Sequence, residues 1–408
     1  MTRPKRLEAA AGMKELMLRH FQAGWLAREE GRKVAFVTSG APVEFLHAMD
    51  VVPVYPENHG AVCGVARAGG RLCQAAEERG YSRDLCSYWK IDWGARARPS
   101  ESPIGGLPNP DFLLCANNIC RTVVKWYEGL SRFYRVPLLL LDLPFRHAEE
   151  EPAAREYVRD QFRNLPGELA RLTGRMWSEE RFRESVALSR EASVLWQECI
   201  EANSTRPAPT TAVDQFLLMG PIVTMRGTRE AVEFYRGLTH EIRERVRRGE
   251  GAVEGEKTRL LWDNLPVWHQ LRPVSEFLAD HGTALVGATY ANAWTERAGE
   301  SPDVGEGLAD AYARVWLNMG LGHREGVIRR MAAFLSADGV IFHANRSCKP
   351  YSFGQEEIAA RLKSEGIPCI LMDGDMADER DFAEGGWRTR LEAFVERLDN
   401  EHHRGRRG

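Results

Sequence analysis

Short apolar runs, each leading into a polar turn and a helical stretch, recur at both ends of this chain and are missing from its middle. After an amphipathic stretch over residues 12–31, Lys33-Val-Ala-Phe-Val-Thr-Ser39 reads as a strand entering a Gly-Ala-Pro turn, and Val43–Met49 as a helix. Val51-Val-Pro-Val-Tyr-Pro56 is a second strand. Asp111–Ala116 and Pro137–Asp142 are two more, with a helix over Arg121–Phe133 between them. Parallel strands need a crossover long enough to hold a helix, so this alternation predicts βαβ units and a parallel sheet. From Arg259 the pattern returns, with strands at Leu260–Trp262, Ala284–Thr289, Gly339–Phe342 and Cys369–Met372 and helices over 305–335, 354–365 and 385–398. In between, Ala192, Leu195, Trp196 and Cys199 recur at helical spacing, as do Ala231, Phe234, Leu238 and Ile242, around a Pro/Thr-rich loop at 203–211.

The expectation is an α/β protein with two flavodoxin- or Rossmann-like parallel-sheet domains and a helical insert. The domains are placed at 1–151 and 256–408, with the helical segment at 152–255. A chain of 408 residues has room for two or three domains and for a core that needs no disulfides. Its net charge of −3 argues against a nucleic-acid binder that works by neutralising phosphates. The longest apolar run, Val136-Pro-Leu-Leu-Leu-Leu141, is too short to span a bilayer. The N-terminus lacks the apolar run of a signal peptide, and the basic Arg404–Gly408 end reads as a solvated tail. A cytoplasmic protein bound to neither nucleic acid nor membrane is expected, with its eight cysteines reduced, buried or metal-bound.

Two glycine-rich stretches imitate nucleotide motifs and fail on detail. Gly251-Ala-Val-Glu-Gly-Glu-Lys-Thr258 has Glu256 where a phosphate loop needs glycine before its lysine, and reads as a solvated linker. Gly320-Leu-Gly-His-Arg-Glu-Gly326 misses the dinucleotide spacing and follows a helix rather than a strand.

The cysteines divide by context. Cys115 and Cys369 lie inside apolar strands and Cys199 on an apolar helical stripe, as small buried hydrophobes do. Cys63 and Cys73 flank a Gly/Ala/Arg-rich stretch with no zinc spacing and are assigned to packing near the site. Cys120 and Cys348 lie just past the carboxyl ends of strands, the edge at which open parallel sheets bind ligands. Each approaches a helix start, and Cys86 follows the helix-starting residues Ser82 and Asp84; free N–H groups there favour a thiolate. Two readings stand: unrelated buried thiols, or a three-thiolate metal site with one position left for substrate. Structural zinc prefers four ligands at local spacing, so iron–sulfur is the better match for the second reading.

Several segments resemble one known family, the iron–sulfur subunits of 2-hydroxyacyl-CoA dehydratases and benzoyl-CoA reductases. They are Val37-Thr-Ser-Gly-Ala-Pro-Val-Glu44, Tyr55-Pro-Glu-Asn-His-Gly60 and Gly80-Tyr-Ser-Arg-Asp-Leu-Cys-Ser-Tyr88. Further along come Asn117-Asn-Ile-Cys120 with Lys125-Trp-Tyr-Glu128, and Gly220-Pro-Ile-Val-Thr-Met-Arg-Gly227. The last are Asn345-Arg-Ser-Cys-Lys-Pro-Tyr-Ser352 and Asp373-Gly-Asp-Met-Ala-Asp-Glu-Arg380. They span nearly the whole chain in the family's order. The resemblance implies that Cys86, Cys120 and Cys348 hold one 4Fe-4S cluster whose fourth iron is open. It implies a heterodimer with a homologous second subunit, an acyl-CoA substrate and a separate ATP-hydrolysing iron–sulfur activator.

In a dehydratase, an electron entering the thioester carbonyl gives a ketyl radical that expels the neighbouring hydroxyl on the way to the enoyl-CoA. Ser39 and Glu57 match positions that line such a site: Glu57 to carry or accept a proton, Ser39 to position substrate or water. The plainer alternatives are a Ser39 that caps the next helix and a Glu57 solvated in a loop. His59 and Lys349 are weaker candidates. The expected function is a lyase subunit forming enoyl-CoA. The alternatives are an oxidoreductase, as a component of a benzoyl-CoA reductase, and a non-catalytic cluster-bearing partner.

Overall fold

The computed structural model describes residues 4–148, 151–299 and 301–405. The first three residues of the N-terminal segment and the last three of the basic tail lie outside the described residues. Among the described residues, eight strands form two separate four-stranded sheets, all parallel. The first holds β1 (Lys33–Val37), β2 (Val51–Val54), β3 (Phe112–Ala116) and β4 (Leu138–Leu141) in the order β2-β1-β3-β4. The second holds β5 (Thr258–Asp263), β6 (Thr283–Ala288), β7 (Gly339–Asn345) and β8 (Cys369–Gly374) in the equivalent order β6-β5-β7-β8. Every residue of β2, β3, β5 and β6 is buried. Strands covered on both faces have no polar side to show, which is why they read as continuous apolar runs.

Strand order reverses between β1 and β3, and again between β5 and β7. Connections on either side of such a point leave in opposite directions and open a crevice at the carboxyl ends of the strands. The α/β architecture with two parallel sheets is therefore as expected.

Between the sheets run the helices Pro152–Thr173, Glu179–Glu201, Ala212–Leu218, Gly220–Thr224 and Arg229–Arg247. Their starts are capped: Ser178 accepts from the N–H of Arg181, Thr228 from that of Ala231, and Thr211 forms a capping box with Asp214. Arg229, Arg236 and Arg243 pair with Glu184, Glu191 and Glu198. Both partners advance by seven residues at each step, so the two long helices run side by side in the same direction with a heptad-like register. The helices are not a detached spacer. Trp196 and Tyr235 share one apolar core with Leu113 of the first sheet and Leu260 of the second.

The structure departs from the sequence expectation in four places. The helix expected over 305–335 is two, Val304–Ala313 and Leu321–Phe334. The segment between them leaves the helical path to pair with the chain after β4: Asn318 Nδ2 donates to the carbonyls of Leu143 and Pro144, the N–H of Arg146 donates to the Asn318 carbonyl, and the N–H of Gly320 donates to the Arg146 carbonyl. Helices also arise where none was expected, at Pro56–Val65, Gly69–Glu77 and Leu271–Asp280. The helix after Cys86 starts at Ser87, with Cys86 itself in the cap position rather than Ser82 or Asp84. Lastly, Glu256 is not solvated; its side chain is 1% exposed, accepts from the N–H of Ala208 and lies beside Arg259.

Candidate active site

Each candidate residue is presented by a strand end or helix start, and hydrogen bonds between neighbouring turns fix where these ends meet. Ser39 sits just beyond β1, and the following turn closes through Gly40. A Cβ on Gly40 would lie 2.3 Å from Asn118 Oδ1, so only glycine fits there. Asn118 Nδ2 donates to the carbonyls of Gly40 and Tyr312, 3.1 Å each, tying the turn after β1 to the turn after β3 and to the second half of the chain. Cys120 follows two residues later, just before the helix Thr122–Tyr134. Cys348 leaves β7 in a turn shaped by Asn345, whose Oδ1 accepts from the N–H groups of Ser347 and Cys348. Ser347 Oγ donates to Ser87 Oγ at 3.1 Å, which joins the residues next to Cys348 and Cys86.

All five predicted site residues, Ser39, Glu57, Cys86, Cys120 and Cys348, line one cavity of about 1370 Å³, open mouth included. Trp126, Tyr290 and Trp316 are among its apolar and aromatic walls. Glu57 is the second residue of the helix Pro56–Val65, not a loop carboxylate. Its Oε2 accepts from the N–H of Ser39 at 2.6 Å and from Ser39 Oγ at 3.1 Å. Burial pushes its pKa up to about 7 against the opposing pull of those two bonds. Ser39 does not cap the next helix, whose cap residue is Val43.

The three thiols feel each other. Burial raises Cys86, and the sulfurs of Cys348 and Cys120 raise it further, against N–H groups of Trp89 and Tyr88 that point at its Sγ. Burial takes Cys120 up to about 11, opposed by the N–H groups of Val123 and Thr122. It takes Cys348 up to about 12, assisted by Cys120 and opposed by the N–H of Tyr351. Three half-buried thiols with helix-start N–H groups at their sulfurs are raised by the protein on its own and gain thiolate character when a positive centre joins them. Among the described residues, no three His, Cys, Asp or Glu side chains converge on a single ion. A polynuclear cluster does not ask for that convergence, because each thiolate binds a different iron. The donor set fits such a group.

The remaining candidates lie elsewhere. His59 is buried behind the cavity wall, its Nε2 2.9 Å from Ser102 Oγ and 3.4 Å from Cys63 Sγ. Lys349 is exposed. Cys63, Cys73, Cys115, Cys199 and Cys369 are buried and do not line the cavity.

Sequence reasoning missed a polar cluster on the same cavity. Glu44 Oε1 accepts from Ser189 Oγ at 2.6 Å and its Oε2 from Tyr312 OH at 2.9 Å, while Arg226 Nε lies 3.9 Å from Oε1. Glu44 and Arg226 both stand inside segments quoted above, but nothing in a single sequence marks either as buried.

Among the described residues, no helix is long and apolar enough to cross a membrane. A family model described as the 2-hydroxyglutaryl-CoA dehydratase D-component matches residues 38–398, which include every candidate above. The chain is 32% identical over 396 residues to the (R)-2-hydroxyisocaproyl-CoA dehydratase alpha subunit of Clostridioides difficile, covering 96% of both. It is 32% identical to the (R)-phenyllactyl-CoA dehydratase alpha subunit of Clostridium sporogenes, over 91% of this chain and 90% of that one. It is 28% identical to one of the subunits of the benzoyl-CoA reductase of Thauera aromatica, over 95% of this chain and 93% of that one. With a model match over most of its length and relatives aligned nearly end to end, this chain belongs to the 2-hydroxyglutaryl-CoA dehydratase D-component family.

Proposed function

We propose that this chain is the iron–sulfur subunit of a 2-hydroxyacyl-CoA dehydratase, which eliminates water from a 2-hydroxyacyl-CoA by a one-electron route to give the enoyl-CoA. The observation that carries the reading is the meeting of Cys86, Cys120 and Cys348 with Ser39 and Glu57 on one largely apolar cavity. Cys86, Cys120 and Cys348 would hold a 4Fe-4S cluster, which when bound supplies a Lewis-acidic iron and an electron relay. Glu57, poised near neutrality, takes the proton released from the substrate's β-carbon, and Ser39 fixes the carboxylate that receives it. The aromatic walls keep water from the reacting carbons. A homologous second subunit and an ATP-hydrolysing iron–sulfur activator complete the system, consistent with relatives named as alpha subunits.

The test is iron and sulfide analysis of protein purified without oxygen. Replacing Cys86, Cys120 or Cys348 by Ala should lose iron and brown colour, while Cys199→Ala and Cys369→Ala should keep both. Iron content unchanged in all three site variants rejects the assignment. The likeness to a component of a benzoyl-CoA reductase supports a second reading as a ring reductase. Turnover of benzoyl-CoA alone, with partner and activator present, would select it. A third reading, a relay subunit without substrate, is favoured if Glu57→Gln leaves turnover of the reconstituted complex unchanged.

A further inference from the structure

The two sheets are built alike, and their strand ends offer matching positions to the cavity. Cys120 follows β3, and Cys348 follows the corresponding strand β7. Glu57 follows β2, and the residue presented after the corresponding strand β6 is Tyr290, in the short helix Thr289–Asn292. Thr289 ties that helix to the sheet: its Oγ1 donates to Asp263 Oδ1 at 2.9 Å and accepts from the N–H of Asn264 at 3.1 Å. The Tyr290 ring meets that of Tyr351 edge to face, with centroids 6.3 Å apart.

Among the described residues, four tyrosines line the cavity, and three of their hydroxyls are committed or sealed. Tyr88 OH accepts from Trp268 Nε1, Tyr312 OH donates to Glu44 Oε2 at 2.9 Å, and Tyr351 OH is shut off from solvent. The Tyr290 hydroxyl has no hydrogen-bond partner among the described residues and is not shut off, so it is open to the cavity. It lies close enough to Glu57 and to Cys348 for the charge of each to act on it. Burial, with those two charges, holds its proton above the ordinary phenol range, so at neutral pH it is a donor and not a base.

A thioester carbonyl that takes up an electron gathers negative charge on its oxygen. In an apolar chamber that charge is costly without a donor, and a donor already in place lowers the barrier more than it strengthens substrate binding. Ser39 Oγ donates to Glu57, and Arg226 donates to Tyr312 and to the carbonyls of Val223, Ser39 and Ala41. We propose that the Tyr290 hydroxyl donates a hydrogen bond to the carbonyl oxygen of the bound thioester, a catalytic residue given by the second half of the chain as the counterpart of Glu57. The proposal rests on the reading of this cavity as an acyl-CoA site and adds the group that steadies the oxygen on which charge develops.

The test is infrared difference spectroscopy of 2-hydroxyisocaproyl-CoA and of benzoyl-CoA, each isotope-labelled at the thioester carbonyl carbon, bound without reductant to the purified chain with its partner subunit. The bound carbonyl should absorb at lower wavenumber than the same thioester in hydrocarbon solvent, and Tyr290→Phe should move the band back up. With partner and activator present, Tyr290→Phe should keep its iron and its KM and lose about a hundredfold to a thousandfold in kcat. A band at its hydrocarbon position in the unaltered protein overturns the proposal whatever the variant does, and so does a band that Tyr290→Phe leaves in place. Binding of benzoyl-CoA alone overturns the dehydratase reading, while its carbonyl band still decides the role of Tyr290. If neither thioester binds, the acyl-CoA reading falls and the proposal falls with it.

Discussion

Glu57 holds its proton to a higher pH than an ordinary carboxyl group does. Its pKa is about 7 in the folded protein against an ordinary 4.5, with burial the first cause. Between those values the folded state binds more protons than the unfolded state, so ionisation opposes folding. Stability is full below about pH 4.5, falls as pH rises to about 7, and is level above. Glu57→Gln should remove this part of the slope in urea titrations compared at about pH 5 and about pH 8. If Glu57 accepts the substrate proton, turnover should climb with pH through about 7. Ser39→Ala deletes a donor to the ionised carboxylate, so the climb should move to higher pH. A pH–rate profile that stays in place removes Ser39 from that role. Ser39, Glu57, Cys120 and Cys348 could be picked out because they stand beside strand ends, and Cys86 because it begins a helix, all inside recognisable segments. Glu44 and Arg226 were not, since their effect comes from burial and from partners far away in sequence.

At the scale of elements, the strands were legible and the glycine-rich helices were not. Gly69–Glu77 and Ser87–Ala97 pack so closely that a Cβ on Gly94 would lie 1.9 Å from the Leu72 carbonyl. Glycine lowers helix propensity, so the Gly69-Gly70 start hides the first of these two helices, whereas the one after Cys86 was expected. Gly94→Ala should destabilise the protein by about 1–3 kcal/mol or more through overpacking. Gly12→Ala, in the helix Ala9–Leu26 with nothing within 4 Å of the new methyl, should stabilise it by about 0.5–1 kcal/mol. Chemical denaturation of both variants reads the two signs. The broken helix at 314–320 escaped notice for a related reason. Its pattern is helical, but its backbone is engaged by Arg146 and its Asn318 side chain by Leu143 and Pro144, a tertiary choice that overrides local preference.

At the scale of the molecule, the two sheets are joined by polar clasps that no periodicity reveals. Lys90, 2% exposed, donates to Glu77 at 2.9 Å and to the Arg83 carbonyl at 2.8 Å, and lies 3.4 Å from Asp378. Arg380 closes the network onto both acids. Trp268 Nε1 donates to Tyr88 OH nearby, again from one half to the other. Breaking a buried pair leaves its partner charged and dry, so Lys90→Ala should cost about 3–5 kcal/mol in urea unfolding. A loss under about 1 kcal/mol would mean that Arg380 alone satisfies both acids. The alternation of strands and helices disclosed the two sheets. Their joining was written in pairs such as Lys90 with Asp378 and Ser87 with Ser347, too far apart in sequence for a local pattern to show.

The wall of the cavity begins at Ser39 and ends at Met376. A ribosome making this chain therefore releases two of the three thiols, and part of the aromatic lining, long before the strand that leads to Cys348 exists. During that interval the cleft of the first sheet faces the cell without its opposite wall. The finished chamber, with all three thiols on its wall, therefore exists only once β7 has emerged and folded against β5.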